Sequence, residues 1–515
     1  MNRQFFLILA ILCSTVFAQA TDRPNILFIF TDDQTHRSVS CYPEAHPWVN
    51  TPNIDALAEK GVRFANAYIG SWCMAARATL LTGHLSYGVN SMKMSEEKDY
   101  PASEYDPEQC PFWPSVFRKN GYQTAQIGKW HTGTDNGFGR DWDYQIVWNR
   151  PQFPENAGNY FYDQLIQKNG SKAEMVKGYS TDNYTNWALD YINGKEGRDP
   201  DKPWYLWLCY GAVHGPFTPA ERHLETYPDA KIKIPEDIYP PREGKPKYSR
   251  EKEQWIPGPD GLPVLKSGKF SGKTVDGAAI HGTDIHSIAR QYHQGVLAID
   301  EGVGQLVEAL KKTGQYENTL VIFASDQGIA WGQKGFQIKL APYDGTIRGP
   351  LIVSMPSRFE SGKTCEKPVG GADLVPTIFT AAGLELPWEM HGRDLTPLLK
   401  DPSGGGWDTN LLSAHTGVFY GSDEVPDMKV DMIFRNQSVP WWISLRTDRY
   451  KYIRNLLPGE VEELYDMEND PEEIVNLAMQ DEHLELVRKL RAEAIAELRR
   501  TDCRFVDNLP PVAKE

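Results

Sequence analysis

The feature that most restricts the fold of this chain is a set of short apolar runs. Each run is followed or preceded by polar residues that can take part in binding or catalysis. Five such runs are Asn25 to Phe30, Tyr122 to Ile127, Trp204 to Tyr210, Thr319 to Ala324 and Pro350 to Met355. Continuous apolar runs of this length predict strands that are buried on both faces of a largely parallel sheet.

Helical segments separate these runs. Residues 54–60 and 287–312 have helical spacing, and Gly314 follows the longer segment as a C-terminal stop signal. The alternation predicts an α/β fold: a large mixed, mostly parallel sheet sandwiched by helices. Ligands of such folds bind beyond the carboxyl ends of the strands, and the polar clusters fall at those ends.

The two ends of the chain differ from this central part. Residues 1–20 combine Arg3, a short apolar run and the sequence Ala18-Gln19-Ala20, which is typical of a secretory signal peptide. The apolar run is shorter than the roughly 18–20 residues that span a membrane. We therefore expect a secreted or periplasmic protein without a membrane anchor.

We expect a catalytic domain over residues 21–400 and a smaller α+β subdomain over 401–515. Residues 441–445 and 450–453 indicate an antiparallel sheet in the subdomain. Residues 470–473 are typical of a helix start, and residues 482–500 predict a last helix. Residues 135–180 and 231–276 look like insertions, because they lack clear periodicity.

The balance of charges limits the class of partner. The chain has 54 basic and 69 acidic residues, a formal net charge of −15, which argues against nucleic acid as the main ligand. The acidity is concentrated in residues 401–515, with 13 basic and 23 acidic residues, whereas residues 231–276 have 10 basic and 7 acidic residues. A local cationic pocket for an anionic substrate therefore remains compatible with the composition.

The cysteines do not predict a disulfide framework or a zinc ribbon. Six of them follow the predicted signal peptide, are widely spaced and contain no Cys-x-x-Cys pair. They are Cys41, Cys73, Cys110, Cys209, Cys365 and Cys503.

Acidic residues follow two of the predicted strands. Asp32 and Asp33 follow the first run, and Asp326 follows the fourth. Three carboxylates that converge at one sheet edge repel each other unless a cation neutralises them. All-oxygen ligands favour Ca²⁺ or Mg²⁺ over zinc, and Gln327 can add an amide oxygen.

Cys73 precedes a predicted helix over residues 75–82 that Gly83 can end. A helix N-terminus presents free backbone N–H groups and partial positive charge, which suit an anion. Arg77 lies one turn further and is expected to reach the same place. This pattern suits a nucleophile that faces a tetrahedral oxyanion.

At this point the chain resembles a known family. The segment from Cys73 to Gly83 is similar to the maturation signature of the formylglycine-dependent (type I) sulfatases, Cys/Ser-x-Pro/Ala-x-Arg followed by Leu-x-Thr-Gly. Further family-like segments occur in the family's order over roughly residues 23–480: RPNILFIFTDDQ, TPNIDALAEKGVRFANAY, GYQTAQIGKWH, AVHGPF, NTLVIFASDQG, YDGTIRGPLIV and ELYDMENDPEEIVNLA. The family belongs to the alkaline-phosphatase superfamily, which implies the corresponding fold.

The resemblance implies a modified nucleophile and a metal ion. Cys73 would be oxidised after translation to formylglycine by a maturation enzyme, and the hydrate of that aldehyde would supply the nucleophilic oxygen. One calcium ion would be held by Asp32, Asp33, Asp326 and Gln327.

The resemblance also implies how the anionic group is held and how protons move. The sulfate would be held by Arg77, Lys129 and Lys339. His214 would protonate the leaving alcohol, and His131 would take a proton from the sulfated hydrate so that sulfate is expelled.

The chain departs from the family pattern at two positions. Ala75 stands where many members have Pro, which bears on recognition by the maturation enzyme. Gln327 stands where Asn or His is usual, and its extra methylene bears on metal ligation.

Other histidines leave more than one interpretation. His84 is expected either to contact substrate or to lie at the surface. Three more are expected to be structural or rim residues, because no His-Glu-x-x-His pattern surrounds them: His281, His286 and His293.

The implied function is a sulfatase that acts on a sulfated carbohydrate. Export and the 15 Trp residues suit a polysaccharide such as a carrageenan or a glycosaminoglycan. The alternatives are a phosphodiesterase or phosphonate monoester hydrolase of the same superfamily, and a non-catalytic protein that binds sulfated glycans and keeps Cys73 unconverted. A two-zinc phosphatase is disfavoured, because it needs a Ser or Thr nucleophile and more His ligands. The sequence leaves the oligomeric state open.

Overall fold

The computed structural model describes residues 23–89, 93–94, 103–104, 111–156, 158–267, 281–337, 339–416 and 438–513. The predicted signal peptide and Cys110 lie outside these residues. The strands are β1 (Asn25–Thr31), β2 (Val62–Phe64), β3 (Ala67–Tyr68), β4 (Lys93–Met94), β5 (Ser103–Glu104), β6 (Gln123–Lys129), β7 (Tyr144–Trp148), β8 (Tyr162–Lys168), β9 (Glu174–Tyr179), β10 (Trp204–Cys209), β11 (Trp255–Pro257), β12 (Pro263–Leu265), β13 (Thr319–Ser325), β14 (Leu351–Ser354), β15 (Lys363–Cys365), β16 (Val369–Gly370), β17 (Leu411–His415), β18 (Trp442–Arg446), β19 (Tyr450–Asn455) and β20 (Glu463–Asp466).

Ten of these strands form one mixed sheet, in the order β15-β2-β14-β13-β1-β10-β6-β7-β8-β9. The four strands that were predicted to precede polar clusters are β1, β6, β10 and β13. They pair in parallel, in the order β13-β1-β10-β6, and form the centre of the sheet. Phe30 lies beside Ala324 on one side and Cys209 on the other, so these strands end at one edge. The fifth run, β14, pairs antiparallel with β13, which makes the sheet mixed as expected.

Helices cover both faces of this sheet, and the described residues contain ten α-helices in all. They are α1 (Pro52–Ala58), α2 (Cys73–Thr82), α3 (Pro114–Lys119), α4 (Ser180–Ile192), α5 (Lys247–Arg250), α6 (Ile285–Lys312), α7 (Asp344–Ile347), α8 (Gly371–Ala382), α9 (Thr396–Lys400) and α10 (Leu484–Arg500). Alternate residues of β1 point to opposite faces. Leu27 and Ile29 pack into the core with α1, α4 and α6, whereas Phe28 and Phe30 pack into the core with α2, α3 and α8.

Residues 135–180, which look like an insertion in the sequence, are part of the central sheet. They contain β7, β8 and β9, which extend the central sheet beyond β6. Strand β8 alternates between buried and half-buried residues, and β9 is mostly exposed. Strands at a sheet edge therefore lack the continuous apolar pattern that identified the central ones. The described part of 231–276 holds α5 and the hairpin of β11 with β12.

The carboxyl-terminal part contains the predicted antiparallel sheet. Its strands have the order β17-β18-β19-β20, and α10 packs against it through Leu490, Ala494 and Leu498. The helix predicted to begin at Asp470 does not form. Glu473 has φ of 55°, and its carboxylate instead accepts hydrogen bonds from Lys451 and the backbone of Asp344.

Within the described residues, we find no helix that is both long and apolar enough to span a bilayer.

Candidate active site

The polar residues at the strand ends converge as predicted. Oδ1 of Asp326 accepts hydrogen bonds from the backbone N–H groups of Asp33 and Gln327, at 2.9 and 3.0 Å. Sγ of Cys73 lies 3.1 Å from Oδ1 of Asp32. Asp32, Asp33, Cys73 and Asp326 each offer one ligand atom, and these four atoms lie within 4.8 Å of one another. The parallel strands β1 and β13 therefore bring three carboxylates together, and the thiol of Cys73 joins them there.

Helix α2 places Cys73 at this point. Cys73 is its first residue, two positions earlier than predicted, and the preceding Trp72 is extended. Gly83 ends the helix with φ of 76°, a conformation that glycine adopts at little cost. Met74 and Leu81 are buried against the sheet, so packing of the helix body fixes the position of its first turn. Cys73 is therefore presented by a rigid helix tip.

Three cationic side chains surround the acidic cluster. Nζ of Lys129 forms a fully buried ion pair with Oδ2 of Asp32. Nζ of Lys339 donates to both carboxylate oxygens of Asp33, at 2.7 and 3.0 Å, and to Sγ of Cys73 at 2.8 Å. Arg77 is completely buried, donates to the backbone carbonyl of Lys129 at 3.0 Å and lies 3.9 Å from Oδ2 of Asp326. All three cations predicted from the sequence are in the cluster.

The charges in the cluster shift the pKa values in opposite directions. Burial on its own raises the pKa of Asp32, but Lys129 and other nearby cations hold it well below its ordinary value. Burial together with Asp32 and Asp33 raises the pKa of Asp326 well above its ordinary value. Burial, Asp32 and Asp326 also raise the pKa of the Cys73 thiol, so the unmodified thiol is protonated at neutral pH. The Cys73 thiol is therefore neutral, and the carboxylate oxygens around it can accept hydrogen bonds.

Two buried oxygens of the cluster have no hydrogen-bond partner: Oδ2 of Asp326 and Oε1 of Gln327. The amide nitrogen of Gln327 contacts Oδ1 of Asp33 and lies 3.4 Å from Sγ of Cys73. Gln327 thus reaches the cluster despite its extra methylene. A hard cation fits this donor set, because carboxylate and amide oxygens predominate and their mutual repulsion needs positive charge.

The two predicted proton-transfer histidines flank the cluster. Nε2 of His214 lies 3.8 Å from Oδ2 of Asp33, and Nδ1 lies 2.7 Å from the carbonyl oxygen of Gly215. A carbonyl only accepts, so Nδ1 carries a proton and Nε2 is the nitrogen that faces the site. Burial, with Lys339 and Lys129 nearby, lowers the pKa of His214 to about 4 against the effect of Asp33.

His131 follows β6 and is buried, with φ of 56°. Burial, together with Lys129 and Arg150, lowers the pKa of His131 well below its ordinary value. Both effects favour the neutral ring, which can accept a proton. His131 therefore has the form required of a base.

Sequence reasoning missed Tyr160 and Arg150. The ring of Tyr160 stacks on His214, with centroids 4.0 Å apart and planes 2° apart. The guanidinium group of Arg150 donates to the Tyr160 hydroxyl. Both residues lie in the segment that had been interpreted as an insertion, where the pattern identified no strand end.

His84 does not reach this site. It follows the carboxyl-terminal end of α2, roughly 15 Å from Cys73 by the rise of a ten-residue helix. Its Nε2 contacts the carbonyl of Glu389, and its ring lies 4.7 Å from that of His391. His84 therefore lies outside the carboxylate cluster, and a contact with substrate stays a prediction.

The three histidines near α6 have local partners. His281 contacts the side chain of Gln294. His286 contacts the backbone of Ile232, and His293 contacts the backbone of Ala289. These contacts agree with the structural role expected for them.

A helix tip that presents Cys73 to a carboxylate cluster, at the edge of a mixed α/β sheet, is an arrangement suited to the hydrolysis of anionic esters. Comparison with known proteins agrees with this class. The sulfatase family model matches residues 24–384, and a model described as the C-terminal region of N-sulphoglucosamine sulphohydrolase matches residues 332–501. The chain belongs to the sulfatase family and is a sulfuric ester hydrolase.

Curated relatives cover most of the chain. An N-acetylglucosamine-6-O-sulfatase of Bacteroides thetaiotaomicron is 28% identical over 540 residues, covering 97% of this chain and 89% of the relative. The human N-acetylglucosamine-6-sulfatase is 27% identical over 418 residues, covering 79% of this chain and 70% of the relative.

Solved structures share the fold. A protein in complex with its substrate D-glucosamine-2-N,6-O-disulfate has a TM-score of 0.77 and 25% identity, covering 94% of this chain and 99% of that one. The phosphonate monoester hydrolase of Agrobacterium radiobacter has a TM-score of 0.63 and 21% identity, covering 93% and 96%. The alkaline-phosphatase-like fold expected from the sequence is confirmed.

Proposed function

We propose that this sulfatase removes a 6-O-sulfate group from glucosamine residues of a glycosaminoglycan. Two relatives that align over most of their length are named for 6-sulfated N-acetylglucosamine. A structural neighbour at 25% identity binds a 2-N,6-O-disulfated glucosamine. These likenesses favour a glycosaminoglycan over a carrageenan, whereas the sequence alone did not distinguish the two.

The nucleophile in this proposal is Cys73 after its oxidation to formylglycine. The observation that carries the proposal is the position of Sγ, at a helix tip and 2.8 Å from Nζ of Lys339. Burial and two carboxylates raise the pKa of the thiol, so cysteine itself is a poor nucleophile here. Formylglycine supplies a hydrated aldehyde whose oxygen is a suitable nucleophile towards sulfur.

One calcium ion is proposed for the carboxylate cluster. The ligands would be Asp32, Asp33, Asp326 and Gln327. Oxygens of the three carboxylates lie within 4.8 Å of one another, and Asp326 and Gln327 each have one buried oxygen without a hydrogen-bond partner. When bound, calcium neutralises the carboxylates and attracts oxygen atoms of the anionic substrate.

Positive side chains hold the sulfate group in this account. Lys129 and Lys339 are buried beside the carboxylates, and Arg77 is buried beneath them. Their charges are fixed before substrate arrives, so they stabilise negative charge that spreads over the sulfate oxygens with little reorganisation.

Two histidines move protons. Nδ1–H of His214 is held by the carbonyl of Gly215, so the proton that His214 gives to the oxygen of the departing sugar is a second one, carried at Nε2 by the protonated ring. The ring takes up this proton from solvent in each cycle, and the negative charge of the bound sulfate favours the protonated form. His131 accepts a proton so that sulfate is released and the site returns to its starting state. The net reaction consumes one water and yields the sugar alcohol and sulfate.

The test is the release of sulfate or phosphate from matched substrates. We expect sulfate release from N-acetylglucosamine-6-sulfate and little from the 3-O- and 4-O-sulfated sugars. Activity on aryl phosphate diesters or phosphonates without sulfate release would favour the superfamily alternative. Equal turnover of all sulfated sugars would contradict the proposed position of the sulfate.

Three further parts of the account stay predictions. Export through residues 1–20 predicts a secreted or periplasmic enzyme, and Cys73 requires a maturation enzyme that accepts Ala75. The boundary between residues 21–400 and 401–515 also stays a prediction.

A further inference from the structure

The contact between Tyr160 and His214 is unusual in its geometry. Their rings are nearly parallel, with planes 2° apart and centroids 4.0 Å apart. The side chain of His214 is about 25% exposed, whereas Tyr160 is only 2% exposed. Tyr160 therefore lies behind the histidine, on the side away from solvent.

The surroundings of Tyr160 hold it firmly. The ring of Trp148 packs edge-on against it, with centroids 4.7 Å apart and planes at 64°. Cζ of Arg150 lies 5.1 Å from the Tyr160 centroid, and Arg150 also donates to its hydroxyl. Nζ of Lys129 lies 5.2 Å from the same centroid. A ring fixed on several sides is a rigid surface for its neighbour.

The stack, more than the hydroxyl, forms the contact with His214. The Tyr160 hydroxyl lies 3.4 Å from Nε2, but it does so across two nearly parallel planes. The lone pair and N–H bond of an imidazole lie in its ring plane, so this contact is poorly directed for a hydrogen bond. The flat face of Tyr160 and the bond from Nδ1 to Gly215 together fix the plane and rotation of the ring.

We propose that Tyr160 is a positioning residue that holds the His214 imidazole with Nε2 towards the leaving oxygen. The inference rests on the proposed role of His214 as the proton donor. A proton donor must be aligned with the oxygen it serves, and misplacement by about 1 Å can reduce a rate by roughly 100-fold. The aromatic ring matters in this account, and the hydroxyl group does not.

The test compares Tyr160→Leu with Tyr160→Phe on two substrates. One is N-acetylglucosamine-6-sulfate, whose alcohol needs protonation, and the other is an activated aryl sulfate, whose phenolate leaves readily. We expect Tyr160→Leu to lower kcat on the sugar sulfate by roughly 10- to 100-fold, with aryl sulfate turnover within about threefold and KM nearly unchanged. Tyr160→Phe keeps the stack and should retain near wild-type values on both.

Phe161→Leu is the matched control. Phe161 is the next residue, is buried, and packs against Tyr179 with centroids 6.0 Å apart. Loss of its ring should affect stability without a preference for either substrate. Thermal melts of all variants separate loss of fold from loss of alignment.

The outcomes distinguish this inference from the proposed function. A selective loss on the sugar sulfate in Tyr160→Leu, restored in Tyr160→Phe, supports it. The positioning role of Tyr160 is overturned if Tyr160→Leu loses activity equally on both substrates while His214→Ala loses activity mainly on the sugar sulfate. Equal losses in His214→Ala overturn the acid role itself. If Tyr160→Leu does not fold, a selective loss in Tyr160→Phe assigns the role to the hydroxyl and overturns the inference.

Discussion

Nζ of Lys339 lies 2.8 Å from Sγ of Cys73, although the two residues are 266 positions apart in the chain. The same ammonium group donates to both carboxylate oxygens of Asp33. Lys339 therefore joins the helix tip that carries Cys73 to the carboxylates that follow β1. An anion bound at the helix tip would meet this positive charge directly.

Replacement of Cys73 by Ala should abolish sulfate release and leave the fold intact. Cys73 is buried at the first position of α2, and packing of the helix body depends on Met74, Leu81 and other residues. The measurements are sulfate release and a thermal melt. Cys365→Ala, a buried cysteine on β15 away from the cluster, is the control. Wild-type turnover in Cys73→Ala would refute the assignment of the nucleophile.

Asp326→Asn should weaken calcium binding. The variant keeps the oxygen that accepts from the backbone of Asp33 and Gln327 but loses one negative charge of the cluster. Because a ligand that binds only the folded state raises Tm, added calcium should raise Tm in wild type much more than in Asp326→Asn.

Asp300→Asn is the control for this experiment. Its carboxylate is also buried, but it accepts from the backbone of Asn53 and Ile54. It should lose stability and keep the wild-type response to calcium. An undiminished calcium response in Asp326→Asn would contradict the ligand assignment.

His214→Ala should impair sugar sulfates more than activated aryl sulfates. General acid catalysis contributes roughly 100- to 10,000-fold where the leaving group is poor and much less where it is good. Steady-state kcat on both substrates measures the difference. His286→Ala on α6, which contacts the backbone of Ile232, should show no such preference. A uniform loss in His214→Ala would argue against proton donation.

Lys245 should make stability rise with pH above neutrality. Burial and Lys334 lower the pKa of Lys245 to about 7, whereas an unfolded lysine titrates near 10.5. Between these values the unfolded chain binds the proton and the folded chain does not, so the free energy of unfolding increases with pH. Below about pH 7 both states are protonated and the full destabilisation, on the order of 5 kcal/mol, is present.

Urea unfolding at pH 7, 8 and 9 tests this prediction. Lys245→Met should flatten the rise in stability relative to wild type, because the titrating group is removed. Lys60→Met, at an exposed lysine, should leave the rise unchanged. An identical pH dependence in wild type and Lys245→Met would show that Lys245 keeps its proton in the folded state.

The sequence predicted the centre of the sheet well because those strands are buried on both faces. The carboxyl ends of β1, β6, β10 and β13 are adjacent, so the residues that follow them meet at one edge. The positions of Asp32, Asp326 and Lys129 follow from this rule alone.

The rest depended on contacts that no local pattern encodes. Strand β8 is only partly buried and β9 is mostly exposed, so periodicity did not separate them from a loop. A helix was predicted at Asp470 from its capping residues, but Glu473 is committed to Lys451 on β19. Tyr160 was missed because its role depends on a stack with His214, 54 positions away.

The mass of the peptide that contains Cys73 tests the central claim most directly. Formylglycine is lighter than cysteine by about 18 Da. The account predicts this lighter peptide in enzyme that releases sulfate, both in the native protein and in an Ala75→Pro variant. A preparation that releases sulfate while Cys73 carries the full mass of cysteine would contradict it.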